Sequence, residues 1–249
     1  MPHHRQARTS AAIVVGRILM VVMVVLVAAC SSSTPDETVA GDQTSVVVSG
    51  SDRAVLIETS GCGVASKTRG SGVLVGNGEV LTVAHVVASA QSQQVRVDGV
   101  DYEADVIALD LERDLALLRV PAAASPIGIP PSLTVGSVGD AGTIYGGASS
   151  GDVPFEISQV ATIVIDEVRG TGRASRLGYR VETSTVSGDS GAGLYDSAGR
   201  LLGLLFATAT EHDGESWATA AAEIEAFLDD PALSGPFFCD VESSKLQQE

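Results

Sequence analysis

Residues 187–193 have the sequence SGDSGAG, which places Ser190 between glycines in a predicted tight turn. Glycine has no side chain to shield the serine hydroxyl, and its free backbone lets N–H groups converge on one point. Such convergence is what an oxyanion-binding site requires. The stretch therefore favours a nucleophilic serine, although a polar hairpin turn would also explain it on its own.

Two upstream motifs contain the other groups that an activated serine needs. The motif LTVAHVV places His85 at the end of an apolar strand, and RDLALL places Asp114 at the start of another. Alone, each residue is more often structural than catalytic, and His212 lies in a polar run that is typical of an exposed loop. Taken together with Ser190, His85 and Asp114 indicate a Ser-His-Asp triad.

Short runs rich in Val, Ile and Leu, separated by Gly, Asn and Asp turns, dominate the chain from Arg53 onward. A proline-rich break at residues 121–131 divides them into two sets, and this spacing favours sandwiches or closed barrels. One helix is predicted over residues 220–228, before Pro231. The predicted strands lie at 54–58, 72–75, 80–83, 95–97, 105–109 and 115–120, and then at 142–145, 155–165, 179–183, 192–195 and 201–207.

The order His85, Asp114, Ser190, with gaps of 29 and 76 residues, resembles that of the chymotrypsin-fold, trypsin-like serine proteases. The matching motifs are Thr-Val-Ala-His, Arg-Asp-Leu-Ala-Leu-Leu and Gly-Asp-Ser-Gly, and the resemblance runs over about residues 53–228. Within that family the chain is most similar to the bacterial HtrA-like branch, and there to the MarP-type periplasmic proteases.

The resemblance implies an all-β fold of two six-stranded antiparallel β-barrels with a short C-terminal helix. The protease domain would occupy residues 51–240. Its first barrel is expected at about 51–121, its second at about 131–219 and its helix at about 220–229.

The resemblance also implies a role for each triad residue. Ser190 would be the nucleophile, His85 the general base and then the general acid, and Asp114 the residue that orients His85. The backbone N–H groups of Gly188 and Ser190 would form the oxyanion hole. An esterase that uses the same triad, and a binding or sensing module that has lost turnover, are the alternatives.

Substrate recognition is expected at two places. The floor of the S1 pocket would be the neutral Ser184, which predicts apolar or small P1 residues because a buried cation would lack a counter-ion. Phe206, Ala207 and Thr208 would form the strand that pairs with the substrate backbone. A trypsin-type activation sequence is missing, so the loop around Asp189 is either preformed or ordered by substrate.

Residues 1–29 are predicted to be a signal peptide, because residues 18–29 form an apolar run of 12 residues. A membrane-spanning helix needs about 20. The sequence Val-Ala-Ala-Cys at its end resembles the lipobox of bacterial lipoproteins, which would make Cys30 the lipidated N-terminus. Ordinary cleavage after Ala29 is the alternative. Residues 30–50 are polar and aperiodic, which is typical of a flexible tether.

The chain has three cysteines, and lipidation would use Cys30. In an exported protein the other two, Cys62 and Cys239, can form a disulfide. MarP-type proteases pair a cysteine before the histidine with one after the final helix, which implies this pairing. The alternative is that Cys62 and Cys239 are two unrelated buried thiols. Residues 241–249, which follow the predicted protease domain, are expected to form a tail.

The net charge of −16 argues against nucleic acid as a partner, because no basic stripe is present to neutralise phosphates. No Cys/His cluster has zinc spacing, so we expect neither a metal nor another cofactor. The expected partners are protein or peptide substrates, together with the membrane that would hold the lipid on Cys30. The expected location is the outer face of the cell membrane, towards the periplasm or cell-wall space.

Overall fold

The computed structural model describes residues 48–61, 67–124, 127–149, 151–166, 173–208 and 214–230. The predicted signal peptide, the tether up to residue 47, the tail, Cys30, Cys62, Cys239 and His212 lie outside these residues, and statements about them stay predictions. Among the described residues, no helix is both long enough and apolar enough to span a bilayer.

The first six strands form a closed barrel in which every neighbouring pair is antiparallel. Alternate residues of the first strand, such as Val55 and Ile57, are buried, as the two-residue period of a strand requires. The strands are β1 (Ala54–Gly61), β2 (Lys67–Gly76), β3 (Glu79–Thr82), β4 (Ala90–Val97), β5 (Val100–Asp110) and β6 (Leu115–Arg119), and their order around the barrel is β1-β2-β3-β6-β5-β4.

The next six strands form a second closed antiparallel barrel. The double barrel that the sequence predicts is therefore confirmed. The strands are β7 (Ala141–Tyr145), β8 (Val153–Asp166), β9 (Arg173–Glu182), β10 (Gly193–Asp196), β11 (Leu201–Thr208) and β12 (Glu215–Ala220), and their order around the barrel is β10-β11-β12-β9-β8-β7.

Helices are few and short among the described residues. They are α1 (Gly50–Arg53), α2 (Ala84–Val87), a 3₁₀ turn (Ala122–Ala124) and α3 (Ala221–Asp229). The sequence predicted α3 but placed His85 at the end of a strand, and this placement was wrong: β3 ends at Thr82, and His85 lies in α2. The Asp114 carbonyl accepts the Ala84 N–H at 3.0 Å, so a residue distant in the sequence positions the start of α2. The pattern of apolar residues does not show such a contact.

Strand β9 also differs from the sequence-based expectation, because it begins at Arg173 and not at residue 179. Residues 173–178 read RASRLG, which is too polar to resemble a buried strand. In the structure each of them pairs with β8, from Asp166↔Arg173 to Ala161↔Gly178. The pairing partner, and not the hydrophobic pattern, extends this strand, and the extension brings Arg176 into the interior.

The C-terminal helix α3 packs into a buried cluster that contains residues of both barrels. Ile224 and Phe227 are the buried side chains of its apolar face, and Phe227 is 1% exposed. Glu223 on the same helix accepts the Leu177 N–H of β9 at 2.7 Å and pairs with Arg113 at 3.0 Å. The helix thus joins the second barrel to the segment of the first barrel that precedes Asp114.

Replacing Phe227 by alanine should lower the free energy of unfolding by about 3–5 kcal/mol, because a buried aromatic ring is lost from this cluster. The change should appear as a lower melting temperature in circular dichroism. Glu225→Ala, on the exposed face of α3, is the matched control and should change stability by less than about 0.5 kcal/mol. An unchanged melting curve for Phe227→Ala would contradict the packing described for α3.

Candidate active site

The turn that carries Ser190 is fixed by contacts to both barrels. The Ser71 N–H of β2 donates to the Ser190 carbonyl at 2.7 Å, and the Gly191 N–H donates to the Leu205 carbonyl of β11 at 2.7 Å. Gly191 has a φ of +91°, and a Cβ there would lie 2.0 Å from the Ser71 carbonyl oxygen. Only glycine fits this position, so the sequence motif follows from a close backbone approach.

The backbone N–H groups of the turn divide into those that donate to a carbonyl and those that have no acceptor among the described residues. Asp189 donates its N–H to the Val186 carbonyl at 3.1 Å, and Ala192 donates to the Asp189 carbonyl at 2.8 Å. The N–H groups of Gly188 and Ser190 have no acceptor within the described part of the chain. These are the two donors that the resemblance assigns to an oxyanion hole, and their freedom fits that role.

The buried carboxylate of Asp189 supports the turn that carries Ser190. It is 1% exposed, and a buried charge needs hydrogen-bond donors. The Ser149 hydroxyl donates to Oδ1 at 2.5 Å, and the Val186 N–H donates to Oδ2 at 2.8 Å. Both donors belong to the described barrel domain itself, which is what a preformed loop requires.

A buried serine of the first barrel supports the same turn. The hydroxyl of Ser71 donates to the Gly188 carbonyl at 2.9 Å and accepts the Gly147 N–H at 3.1 Å. It therefore links β2 to both loops that surround Asp189. Sequence reasoning missed Ser71 and Ser149, because a serine in a glycine-rich run carries no signal of its own.

His85 and Asp114 form a two-point contact. Nδ1 of the His85 imidazole lies 2.9 Å from Oδ2 of Asp114, and the His85 backbone N–H donates to Oδ1 at 2.8 Å. Asp114 is 2% exposed and has a φ of 56°, a left-handed conformation that aspartate tolerates better than most residues. With Nδ1 directed at the carboxylate, Nε2 is left for a second partner.

One open cavity of about 220 Å³ collects most of the predicted site residues. His85, Gly188, Ser190, Ala207 and Thr208 all line it. The His85 side chain is 35% exposed, so solvent and substrate can reach the imidazole. The arrangement places a serine hydroxyl, a carboxylate-oriented imidazole and free N–H donors around one volume.

Three predicted site residues that the structure describes, Asp114, Ser184 and Phe206, do not line this cavity. Ser184 is exposed on the segment after β9, and Phe206 is 7% exposed. Phe206 instead lines a neighbouring cavity of about 470 Å³ together with Trp217 and Ala207. The roles of Ser184 and Phe206 in substrate binding stay predictions.

A buried cation next to Asp114 was missed from the sequence. Arg176 on β9 is 2% exposed, and its Nη2 lies 3.5 Å from Oδ2 of Asp114. Its Nη1 donates to the Glu112 carbonyl at 3.2 Å, and its guanidinium carbon lies 4.2 Å from the centroid of the Phe206 ring. In the sequence, Arg176 is one arginine in a polar run, and nothing marks it as buried.

The two closed six-stranded barrels are the fold of the chymotrypsin-like serine peptidases. The trypsin-like peptidase domain family matches residues 70–204, more than half of the chain, and the chain belongs to this family. The family that the sequence motifs predict is therefore confirmed.

Named relatives agree with this assignment. Serine protease Rv3671c of Mycobacterium tuberculosis strain H37Rv is 28% identical over 163 residues, which are 64% of this chain and 41% of that protein. Serine protease MT3772 of M. tuberculosis strain CDC 1551 / Oshkosh matches to the same extent. The chain therefore spans less than half the length of these two relatives.

Solved structures show the same fold. The crystal structure of the Rv3671c protease from M. tuberculosis in its active form has a TM-score of 0.68 at 24% identity, over 76% of this chain and 85% of that one. The serine endoprotease from Yersinia pestis has a TM-score of 0.58 at 22% identity, over 72% and 62%. At these identities the likeness supports the fold alone.

Ser149→Ala should slow acylation of Ser190 and lower stability, because the buried Asp189 carboxylate loses the hydrogen bond from the Ser149 hydroxyl and keeps only that from the Val186 N–H. A missing partner for a buried polar group costs about 1–3 kcal/mol. Stopped-flow acylation and thermal melting would measure the two effects. Ser137→Ala, an exposed serine in the loop before β7, is the control, and wild-type acylation by Ser149→Ala would show that this contact does not hold the loop.

Proposed function

We propose that the protein is a serine endopeptidase that cleaves peptide bonds through Ser190, His85 and Asp114. The observation that carries the proposal is the two-point contact of His85 with Asp114, at 2.8 and 2.9 Å, on the cavity that Ser190 also lines. The family assignment supports the reaction class, because the chain belongs to the trypsin-like peptidase domain family.

The reaction proceeds in two halves. Ser190 Oγ attacks the peptide carbonyl carbon while Nε2 of His85 accepts its proton, and the tetrahedral intermediate collapses when His85 returns that proton to the leaving amine. Water then attacks the resulting acyl-enzyme ester, again with His85 as base, and the acid product leaves with Ser190 regenerated. Asp114 fixes the imidazole in the tautomer with the proton on Nδ1 and stabilises the imidazolium.

The Gly188 and Ser190 N–H groups stabilise the oxyanion of each tetrahedral intermediate. Their freedom from acceptors among the described residues supports this assignment. Two donors that point at a developing negative charge stabilise it more strongly than water does, because the folded protein already holds them in that orientation.

The substrate is an extended peptide with an apolar or small P1 residue. Ala207 and Thr208 end β11 at the rim of the cavity, where they can pair with the substrate backbone. No carboxylate is among the described residues that line the cavity, so a lysine or arginine at P1 would lack a counter-ion. Neutral Ser184 agrees with this preference.

The proposal extends to the location of the enzyme. The apolar run at residues 18–29 and the Val-Ala-Ala-Cys sequence support export and a lipid anchor on Cys30, which would hold the domain at the outer face of the cell membrane. A disulfide between Cys62 and Cys239 suits an exported protein.

Ser190→Ala, His85→Ala and Asp114→Asn should each lower kcat on a peptide with leucine or alanine at P1 by about 10⁴-fold. The losses should not add in the double variants, because the three residues act as a unit. Ser197→Ala, in an exposed turn, is the control. Near wild-type proteolysis by Ser190→Ala would contradict the proposed nucleophile.

The rate of acylation should fall as the pH is lowered, because only a neutral His85 imidazole can accept the Ser190 proton. The measurement is kcat/KM as a function of pH, with circular dichroism at each pH to confirm that the protein stays folded. A rate that keeps rising in acid on folded protein would exclude His85 as the base.

A further inference from the structure

We propose that Arg176 is a positioning residue of the triad: its guanidinium, which comes from the second barrel, holds the Asp114 carboxylate in place. This inference rests on the proposed function, because the position of Asp114 matters for catalysis through His85. Arg176 touches neither Ser190 nor the cavity. Its ion-pair contact with the predicted triad is the one to Asp114.

Three contacts fix the orientation of the guanidinium. Its Nη2 faces Oδ2 of Asp114 at 3.5 Å, its Nη1 donates to the Glu112 carbonyl at 3.2 Å, and its central carbon lies over the Phe206 ring, 4.2 Å from the centroid. A planar group with two polar contacts and an aromatic ring against it has little freedom to turn. The cation is thus directed at one oxygen of the carboxylate, the same oxygen that faces His85 Nδ1.

Packing alone does not explain an arginine at this position. Nε of Arg176 is buried and has no hydrogen-bond partner among the described residues. An apolar side chain of similar volume would fill the space without an unsatisfied N–H, and such replacements of buried charges are often neutral or stabilising. The charge is therefore the property of Arg176 that the site uses.

Other charged groups near Arg176 already have partners. Arg113 forms ion pairs with Asp110 at 2.6 Å and with Glu223 at 3.0 Å, so both of these carboxylates have a cationic partner other than Arg176. Asp114 is the carboxylate within ion-pair distance of Arg176 in the described part of the chain. Burial lowers the pKa of Arg176, while Asp114, Glu223 and Asp110 oppose that change.

The consequence for catalysis is a shared carboxylate. Arg176 and the His85 imidazolium both interact favourably with Oδ2 of Asp114, and they repel each other across it. Arg176 and His85 thus share one carboxylate oxygen. Removal of the cation leaves that oxygen to His85 alone and removes a repulsive neighbour of the imidazolium, so both the rate of acylation and its pH dependence should change.

The first test compares Arg176→Met and Arg176→Lys with Arg180→Met, a control on the same strand whose partly buried ion pair with Glu215 does not reach Asp114. In Arg176→Met, kcat should fall on the order of 10- to 100-fold with little change in KM, as expected for a misplaced catalytic group. The acid limb of its kcat/KM profile should also move to higher pH.

Arg176→Lys keeps the positive charge but loses the planar guanidinium. The acid limb of its kcat/KM profile should therefore stay near that of the wild type. Wild-type kcat and acid limb in folded Arg176→Met would overturn the inference. A lower kcat with an unmoved acid limb would overturn it too, because a side chain that merely fills space gives that result.

A double-mutant cycle measured by thermal melting tests the inference even if Arg176→Met folds poorly. Asp114→Asn and Arg176→Met each leave one buried charge without its partner, so both single variants should melt lower than the wild type. The double variant should lose clearly less stability than the sum, and it should restore folding if Arg176→Met alone does not fold. Additive losses would overturn the inference.

The cycle also separates the two proposals. If the wild-type protein cleaves no peptide and is not acylated, the proposed function fails, and the coupling of Arg176 to Asp114 can still be read from stability. If the wild-type protein is active and the coupling is absent, the positioning role of Arg176 fails alone.

Discussion

The contact between the Asp114 carboxylate and His85 is the interaction around which the site is built. A carboxylate that is 2% exposed is stable in a protein only when donors surround it. Asp114 obtains them from the backbone and imidazole of His85 in its own barrel and from Arg176 across the junction. One buried charge thus links the two barrels, and the proposed function depends on that link because it needs Ser190 of one barrel beside His85 of the other.

A second buried carboxylate supports the turn that carries Ser190. It belongs to Asp189, and its donors, Ser149 and Val186, fix this loop. Ser71 of the first barrel holds the carbonyl of Gly188 and thereby links this loop to β2. Each of the two buried acids accepts a hydrogen bond from a residue that is distant in the sequence, Asp114 from His85 and Asp189 from Ser149.

The double barrel that the sequence predicts is confirmed, and the triad that it predicts is proposed; both predictions follow from short motifs of fixed order along the chain. The sequence could not predict the supporting contacts, since these join residues that are distant in the chain. Arg176 and Asp114 are 62 residues apart, and Ser71 and Gly188 are 117 apart. The start of β9 was missed for the same reason, because only its pairing with β8 makes a polar run extended and brings Arg176 inside.

Active-site labelling tests the central claim most directly. A fluorophosphonate reacts quickly with a serine whose hydroxyl is activated by an oriented imidazole, and the adduct mimics the tetrahedral intermediate in the oxyanion hole. Intact-mass and peptide analysis of the labelled wild-type protein should find a single adduct on Ser190, at a rate that Asp114→Asn lowers strongly. No adduct on the folded protein, or an adduct on another serine, would contradict the account and favour a binding module on a peptidase fold.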